Sequence, residues 1–155
     1  MIKTIDEIIK QSPIYLHNWD SKWDVITNFE EIYMSKKEYE ATICPDEDIE
    51  YRQENKVRMN VALIKYADVN ILFAAYGYAN YSGDAFVLFE QNGKLYEVNG
   101  SHCSCYGLED QWCTEETSLE ALEFRIIDGT LGSDSYSENM FKTELMKFLG
   151  IEESE

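Results

Sequence analysis

In the first 67 residues the apolar positions recur three and four apart with polar residues between them, the spacing of amphipathic helices. Thr4-Ile-Asp-Glu7 has the form of a capping box and predicts a short helix that ends near Ser12-Pro13. Trp23, Ile26, Phe29 and Tyr33 mark a second helix, capped by Asp20 or Ser21. "CPDEDIE", residues 44–50, reads as a turn with an acidic run. A third helix is expected from about 47 to 67, with Val57, Val61 and Tyr66 among its apolar positions.

The period changes at residue 70. "NILFAAYGY", 70–78, is an unbroken apolar run of strand length, as in a strand covered on both faces. "DAFVLFEQNGKLYEV" alternates on both sides of Asn92-Gly93, the pair preferred in two-residue type I′ hairpins. That turn sets a register: Gln91 faces Lys94, Glu90 faces Leu95, Phe89 faces Tyr96, Leu88 faces Glu97 and Val87 faces Val98. Val87, Phe89, Tyr96 and Val98 then share one face. Phe86, Leu88 and Leu95 share the other, with Glu97 among them. Helical spacing returns after residue 117. Thr117-x-x-Glu120 reads as a second capping box, followed by Leu119, Leu122, Phe124 and Ile126 and closed by Gly129. A last helix is expected from about Ser137 to Leu149, with Met140, Phe141, Leu145 and Phe148 on one face and Gly150 ending it. "IEESE" reads as a frayed acidic tail. The expectation is an α+β fold: a small antiparallel β-meander of about three strands around the Asn-Gly hairpin, packed by N-terminal and C-terminal helices. Residues 1–155 read as a single domain, helical over 1–67, with sheet and motif loop over 70–113 and helices over 117–149.

Composition narrows the function. With 45% hydrophobic residues and 11 Tyr the chain holds enough apolar mass for a packed core. Its 13 basic and 30 acidic residues leave a formal charge of −17. Such a surface repels phosphate, so direct nucleic-acid binding and anionic membranes are excluded as partners. The charge serves either solubility or recognition of a protein with a basic surface. No targeting signal or run of ~20 apolar residues is visible, which points to the cytoplasm and to reduced cysteines. The sequons at Asn80 and Asn99 carry no meaning without a secretory route.

The candidate chemistry lies mostly in "VNGSHCSCYGLEDQWC", 98–113. His102, Cys103, Cys105 and Cys113 are of the right types for zinc, but H-C-x-C-x₇-C lacks the paired C-x₂-C knuckle of structural sites. Cys103 or Cys105 as nucleophile, with His102 or His17 as base and Glu97 as orienting acid, is a second option. The acidic neighbours Glu97, Glu109 and Asp110 oppose thiolate formation. The third option is a tightly packed segment in which cysteines act as small apolar groups, with Gly100 and Gly107 supplying unusual backbone angles. "YGYANYSGD", 76–84, brings Tyr76, Tyr78 and Tyr81 near Asp84, either as contact surface or as closure of the core. It lacks the pattern of a phosphate loop. Glu97, set among apolar neighbours, is either an acid–base group or a carboxylate satisfied locally. Candidate partner-binding residues are Asp46, Glu47, Asp48, Glu109, Asp110, Glu115 and Glu116, with Tyr78 and Tyr81. No cofactor is expected.

"YSGDAFVLFEQNGKLYEVNGSHCSCYGLEDQW", 81–112, resembles a family of small uncharacterised bacteriophage and prophage proteins. The family pattern runs Y-x-G-D-A-F-V-L-F-E, then G-K-L-Y-E-V-N-G-S-H-C-S-C-Y-G-L-E-x-Q-W. The likeness extends over about 70–128 and is looser in the N-terminal third. Asp84, Glu97, His102, Cys103, Cys105, Tyr106, Glu109 and Trp112 match the pattern. The family has Glu-Pro-Glu-Glu after its Trp, whereas "CTEE" follows Trp112 here, so Cys113 stands outside any shared site. The resemblance implies a phage accessory protein in the host cytoplasm and supplies no biochemical activity. The expected function is protein binding, as a counter-defence or host-takeover inhibitor that occupies a basic, nucleic-acid-binding groove. The alternatives are a small enzyme or ligand-binding protein using the His102/Cys103/Cys105 loop beside residues 76–84, and a zinc-stabilised structural module.

Overall fold

A computed structural model describes residues 2–40, 49–79, 82–103, 107–133 and 139–151, apart from the side chains of 49–52 and 78–79. In chain order its elements are α1 (Ile5–Lys10), β1 (Ile14–His17), α2 (Lys22–Phe29), α3 (Lys36–Glu40), α4 (Ile49–Lys65) and β2 (Asn70–Ala79). They continue with β3 (Ser82–Gln91), β4 (Lys94–His102), β5 (Glu115–Thr117), α5 (Leu119–Ile127) and α6 (Lys142–Leu149). The fold is α+β, with one mostly antiparallel sheet in the order β1-β2-β3-β4-β5.

The hairpin forms in the register set by its turn. Asn92 and Gly93 have φ of 54° and 82°, the left-handed values a type I′ turn requires. Gln91 pairs with Lys94, Phe89 with Tyr96 and Val87 with Val98. On the other side of β3, a bulge between Ile71 and Phe73 interrupts the pairing with β2. The extra residue, Leu72, places Leu72 and Phe73 on the same face, while Ile71 and Ala74 turn to the opposite one. This is why the 70–78 run is apolar without alternation: its residues fill two cores.

The expected three strands are too few. Two short edge strands flank the meander. β1 runs parallel to β2 (Ile14 opposite Phe73, His17 opposite Tyr76), and β5 runs antiparallel to β4. Four residues after a proline and the polar triplet Glu-Glu-Thr are too short to show a period. Exposed charge on β5 also blunts that edge against further pairing.

Each face of the sheet carries its own layer. Val25, Ile26 and Phe29 of α2 pack with Met59 and Ala62 of α4, and with Tyr66 just beyond it, over Val87, Phe89 and Val98. Ile8 of α1, Leu122 and Ile126 of α5, and Leu145 and Leu149 of α6 pack over Phe73, Phe86 and Leu88. Tertiary contacts move several helix boundaries. α2 ends at Phe29, leaving Tyr33 exposed, and Ser21 caps it without a side-chain bond. α3 has no buried residue and so no apolar signature. In α4 the inner stripe is Asn55, Met59, Ala62 and Tyr66, whereas Val57 and Val61 are 61% and 63% exposed. Thr117 ends β5, so the cap of α5 is Ser118, whose hydroxyl accepts from the Ala121 N–H. Phe124 lies on the exposed side of that helix. α6 begins at Lys142, with Phe141 at its N-cap and Gly150 closing it in the left-handed conformation (φ 78°). Ser137 and Glu138, the first two residues of the expected last helix, lie outside the described residues, and Met140 is exposed. Among the described residues no helix is long and apolar enough to cross a membrane.

Candidate functional site, a cleft over Tyr76 and His102

The motif segment begins as strand. β4 continues through His102, so Val98 to His102 extend the sheet. Side chains alternate along a regular strand, so His102 shares its face with Tyr96 and Val98 and stands opposite to Glu97. Tyr76 of β2 lies on the same face, two strands away. The intervening β3 carries Ala85 and Gly83 at this level, which leaves room for the two side chains to meet. Tyr76 Oη and His102 Nδ1 share a 2.6 Å hydrogen bond, and their rings meet edge-on at 5.5 Å.

After β4 the chain folds back over the sheet. A Cβ on Gly100 would lie 3.2 Å from Leu108 Cδ2 and 3.3 Å from Gln111 Oε1, so glycine here admits a close approach. Neither Gly100 nor Gly107 has a positive φ, so the expected unusual backbone angles are absent from both. Gln111 acts as a short surrogate strand. Its Oε1 accepts from the Ser101 N–H at 2.8 Å, and its Nε2 donates to Ser101 O at 2.6 Å and to Gly107 O at 2.8 Å. Trp112 anchors the fold-back among Phe29, Tyr66 and Phe89, with ring centroids 5.0, 4.8 and 5.4 Å away.

The fold-back and the end of α2 enclose a cleft of about 460 Å³. Thr27, Asn28, Glu31, Ile32 and Tyr33 form one wall, and Tyr76, His102, Cys103, Gly107, Leu108 and Glu109 form the rest. Ile32 and Leu108 are buried. Two carboxylates are held at the cleft. The Tyr33 hydroxyl donates to Glu31 Oε1 at 3.4 Å, and the Gly107 N–H donates to both oxygens of Glu109, at 3.2 and 2.9 Å. Glu31 and Asp110 are in the left-handed region, with φ of 53° and 61°, which non-glycine residues adopt at a cost. A neighbouring depression of about 300 Å³ is lined by Phe29, Glu30, Glu31, Arg58, Lys65, Glu109, Asp110 and Trp112.

The electrostatics of the two hollows differ. In the smaller one, Glu30 accepts from Lys65 Nζ at 2.8 Å and from the Tyr66 hydroxyl at 2.6 Å, and Arg58 donates to its backbone carbonyl. Burial pushes the Glu30 carboxyl up, but the Lys65 and Tyr66 hydrogen bonds outweigh it, so the group lies below its ordinary value. Burial, and then the bond to Glu30, push the Tyr66 phenol up. In the larger cleft, among the described residues, no lysine or arginine lines the wall.

The sequence candidates are distributed as follows. His102, Cys103 and Glu109 line the cleft together with Tyr76, and Asp110 borders the adjoining depression. Glu97 does not join them: it faces the α5 side of the sheet, where Arg125 Nη1 donates to both its oxygens at 2.8 and 2.6 Å and Asn99 Nδ2 donates at 2.9 Å. It therefore cannot orient His102. His17 Nε2 donates to Met140 O at 2.9 Å and lies outside the cleft wall. Glu115 and Glu116 are exposed on β5, with Glu116 4.0 Å from Lys94. Asp46, Glu47, Asp48, Tyr81, Cys105 and Tyr106 lie outside the described residues, as does the side chain of Tyr78. Among the described residues no three His, Cys, Asp or Glu side chains form a group able to hold a metal. Cys103 lines the cleft, and Cys113 is an exposed free thiol.

Three contributors escaped the sequence reading. Glu31 and Asn28 lay in a segment read as helix for its apolar spacing, and Gln111 bears no signal that separates a backbone clamp from a solvated side chain. Comparison with family models, with curated proteins and with solved structures returns no match.

Proposed function

We propose that this chain is a small acidic binding protein that engages a basic surface on a host protein, of the kind a nucleic-acid-binding groove presents. The carrying observation is that Glu31 and Glu109, from two distant segments, meet at one cleft with no lysine or arginine on its described walls, with Asp110 on the adjoining depression. A net charge of −17 extends that field over the molecule and would steer a cationic partner toward it. Under this proposal, the resemblance of residues 81–112 to phage and prophage proteins suggests a role in host takeover or counter-defence. On this reading Glu115 and Glu116, exposed on the β5 edge, and the acidic run Asp46–Asp48 add to the steering surface.

The test is capture from bacterial lysate by the immobilised chain, at low and high salt, with and without nuclease. Exposed charge pairs are screened over a Debye length of ~8 Å at physiological ionic strength, so capture should fall steeply with salt. It should be indifferent to nuclease. Glu109→Lys with Asp110→Lys should abolish it, and Cys103→Ala should retain it. Capture that survives charge reversal and disappears with Cys103→Ala would replace this reading with the thiol-dependent one. A second reading, a ligand-binding protein or small enzyme, draws on the Tyr76–His102 hydrogen bond at the cleft.

A further inference from the structure

We propose that the cleft over Tyr76 and His102 receives an arginine side chain, the anchor by which the basic partner is held; the partner, though not the cleft, rests on the function proposed above. The contrast between the two hollows carries the inference. In the smaller one the chain supplies its own cations, Lys65 and Arg58, to Glu30. Glu31 and Glu109 stand between the two hollows, and on the side of the larger one they border a recess of about 460 Å³ with no lysine or arginine on its described walls. Neither carboxylate belongs to an ion pair among the described residues. Glu109 is already held by the Gly107 N–H at 2.9 Å, so a cation meeting it orders little else there, while Glu31 has only a long 3.4 Å contact from the exposed Tyr33 hydroxyl.

The rest of the wall selects guanidinium over ammonium. Tyr33, 67% exposed, brings its ring to the recess beside His102, and on such rings a planar, weakly hydrated guanidinium stacks and a compact ammonium does not. The carboxylates accept its forked N–H groups. Ile32 and Leu108, both buried, give the aliphatic stem an apolar seat. A recess that desolvates one arginine inside a wider acidic rim has the layout of an interface hot spot.

The experiment is an amide-resolved NMR titration of the full chain at low ionic strength. The probes are N-acetyl-arginine amide, the isosteric and uncharged citrulline analogue, and the lysine analogue. The arginine probe should give saturable shifts at Asn28, Glu31, His102 and Leu108. The citrulline probe should give none there, and the lysine probe should bind several-fold more weakly. Glu31→Gln and Glu109→Gln, each with unchanged spectral dispersion, should each weaken the arginine probe roughly five-fold or more. Unsaturable shifts spread over Glu115, Glu116 and the acidic surface at large, or equal responses to arginine and citrulline, would overturn the inference. If the arginine titration fails while lysate capture stays salt-sensitive and dependent on Glu109 and Asp110, the cleft assignment falls and the binding function stands. Saturable arginine binding with no salt-sensitive capture supports the cleft and removes the protein partner.

Discussion

Glu97 is 3% exposed, with both carboxylate oxygens on Arg125 and a further hydrogen bond from Asn99. Its apolar neighbours in sequence made it a candidate acid or base, but its partner lies 28 residues on in α5, beyond the fold-back and β5, where no local pattern reaches. Arg125→Met strands that carboxylate. Because Arg125 is 39% exposed and water reaches the pair, the expected cost is about 2 kcal/mol, below the roughly 3–5 kcal/mol of a dry pair. Adding Glu97→Leu should recover most of it, which urea denaturation of the two singles and the double would reveal. Full additivity in that cycle would show that the pair is not coupled. Glu30 gives a pH-dependent counterpart. Its folded-state value is held below the ordinary 4.5, so the stability it contributes is present above that value and is lost as the pH falls through the folded one. Glu30→Gln should therefore lower stability by about 1 kcal/mol at pH 7. The difference in melting temperature from wild type should shrink as the pH is lowered from 7 through the acid range below 4.5, and a gap that stays constant would assign Glu30 a packing role instead.

Among the elements, the hairpin was legible in full because a two-residue turn needs both residues at positive φ and allows one register, so Asn92-Gly93 determines which face receives Phe89 and which Leu88. α1 and the glycine stop of α6 were legible for the same reason: their signals are local. The outer strands were not. β1 exists through hydrogen bonds to β2, more than 50 residues away, and three-residue β5 has no apolar position to display. The buried stripe of α4 was misread because it contains Asn55 and Ala62, while Val57 and Val61 face outward. The cleft falls between these cases. His102, Cys103, Tyr76 and Glu109 were singled out from composition and spacing, but Glu31 enters only because α2 stops at Phe29. Two glycine stops provide a test at this scale. Gly93 has φ 82° and nothing within 4 Å of an added Cβ, so Gly93→Ala pays conformational strain alone, about 1 kcal/mol. Gly150 has φ 78°, and an added Cβ there would lie 2.7 Å from Lys3 Cγ and 3.2 Å from Lys3 N. Gly150→Ala should be the more destabilising in thermal melts, and equal losses would mean that Lys3 moves aside freely.

At the scale of the whole molecule, the sheet divides the interior into two layers of different sequence reach. The layer under α2 and α4 draws on residues 19–108. The opposite layer runs from Ile8 to Ile151. This division was only partly legible: the α+β class followed from the change of period at residue 70, but which helices share a face depends on pairing between distant segments. The acidic rim belongs wholly to the first layer and is complete once Trp112 has docked against Phe29, Tyr66 and Phe89. The second layer is closed by contacts between the earliest and latest described segments: Lys3 N–H donates to Leu149 O at 2.8 Å and Gln11 Nε2 to Phe148 O at 2.9 Å. On the ribosome, Ile8 and β1 emerge long before α6. A chain shortened before α6 would leave Phe73, Phe86 and Leu88 uncovered by Leu145 and Leu149, while the other side could still close. Such a shortened chain would present bare apolar strand to any chaperone that reads it, and the last eight-residue helix is what withdraws that surface.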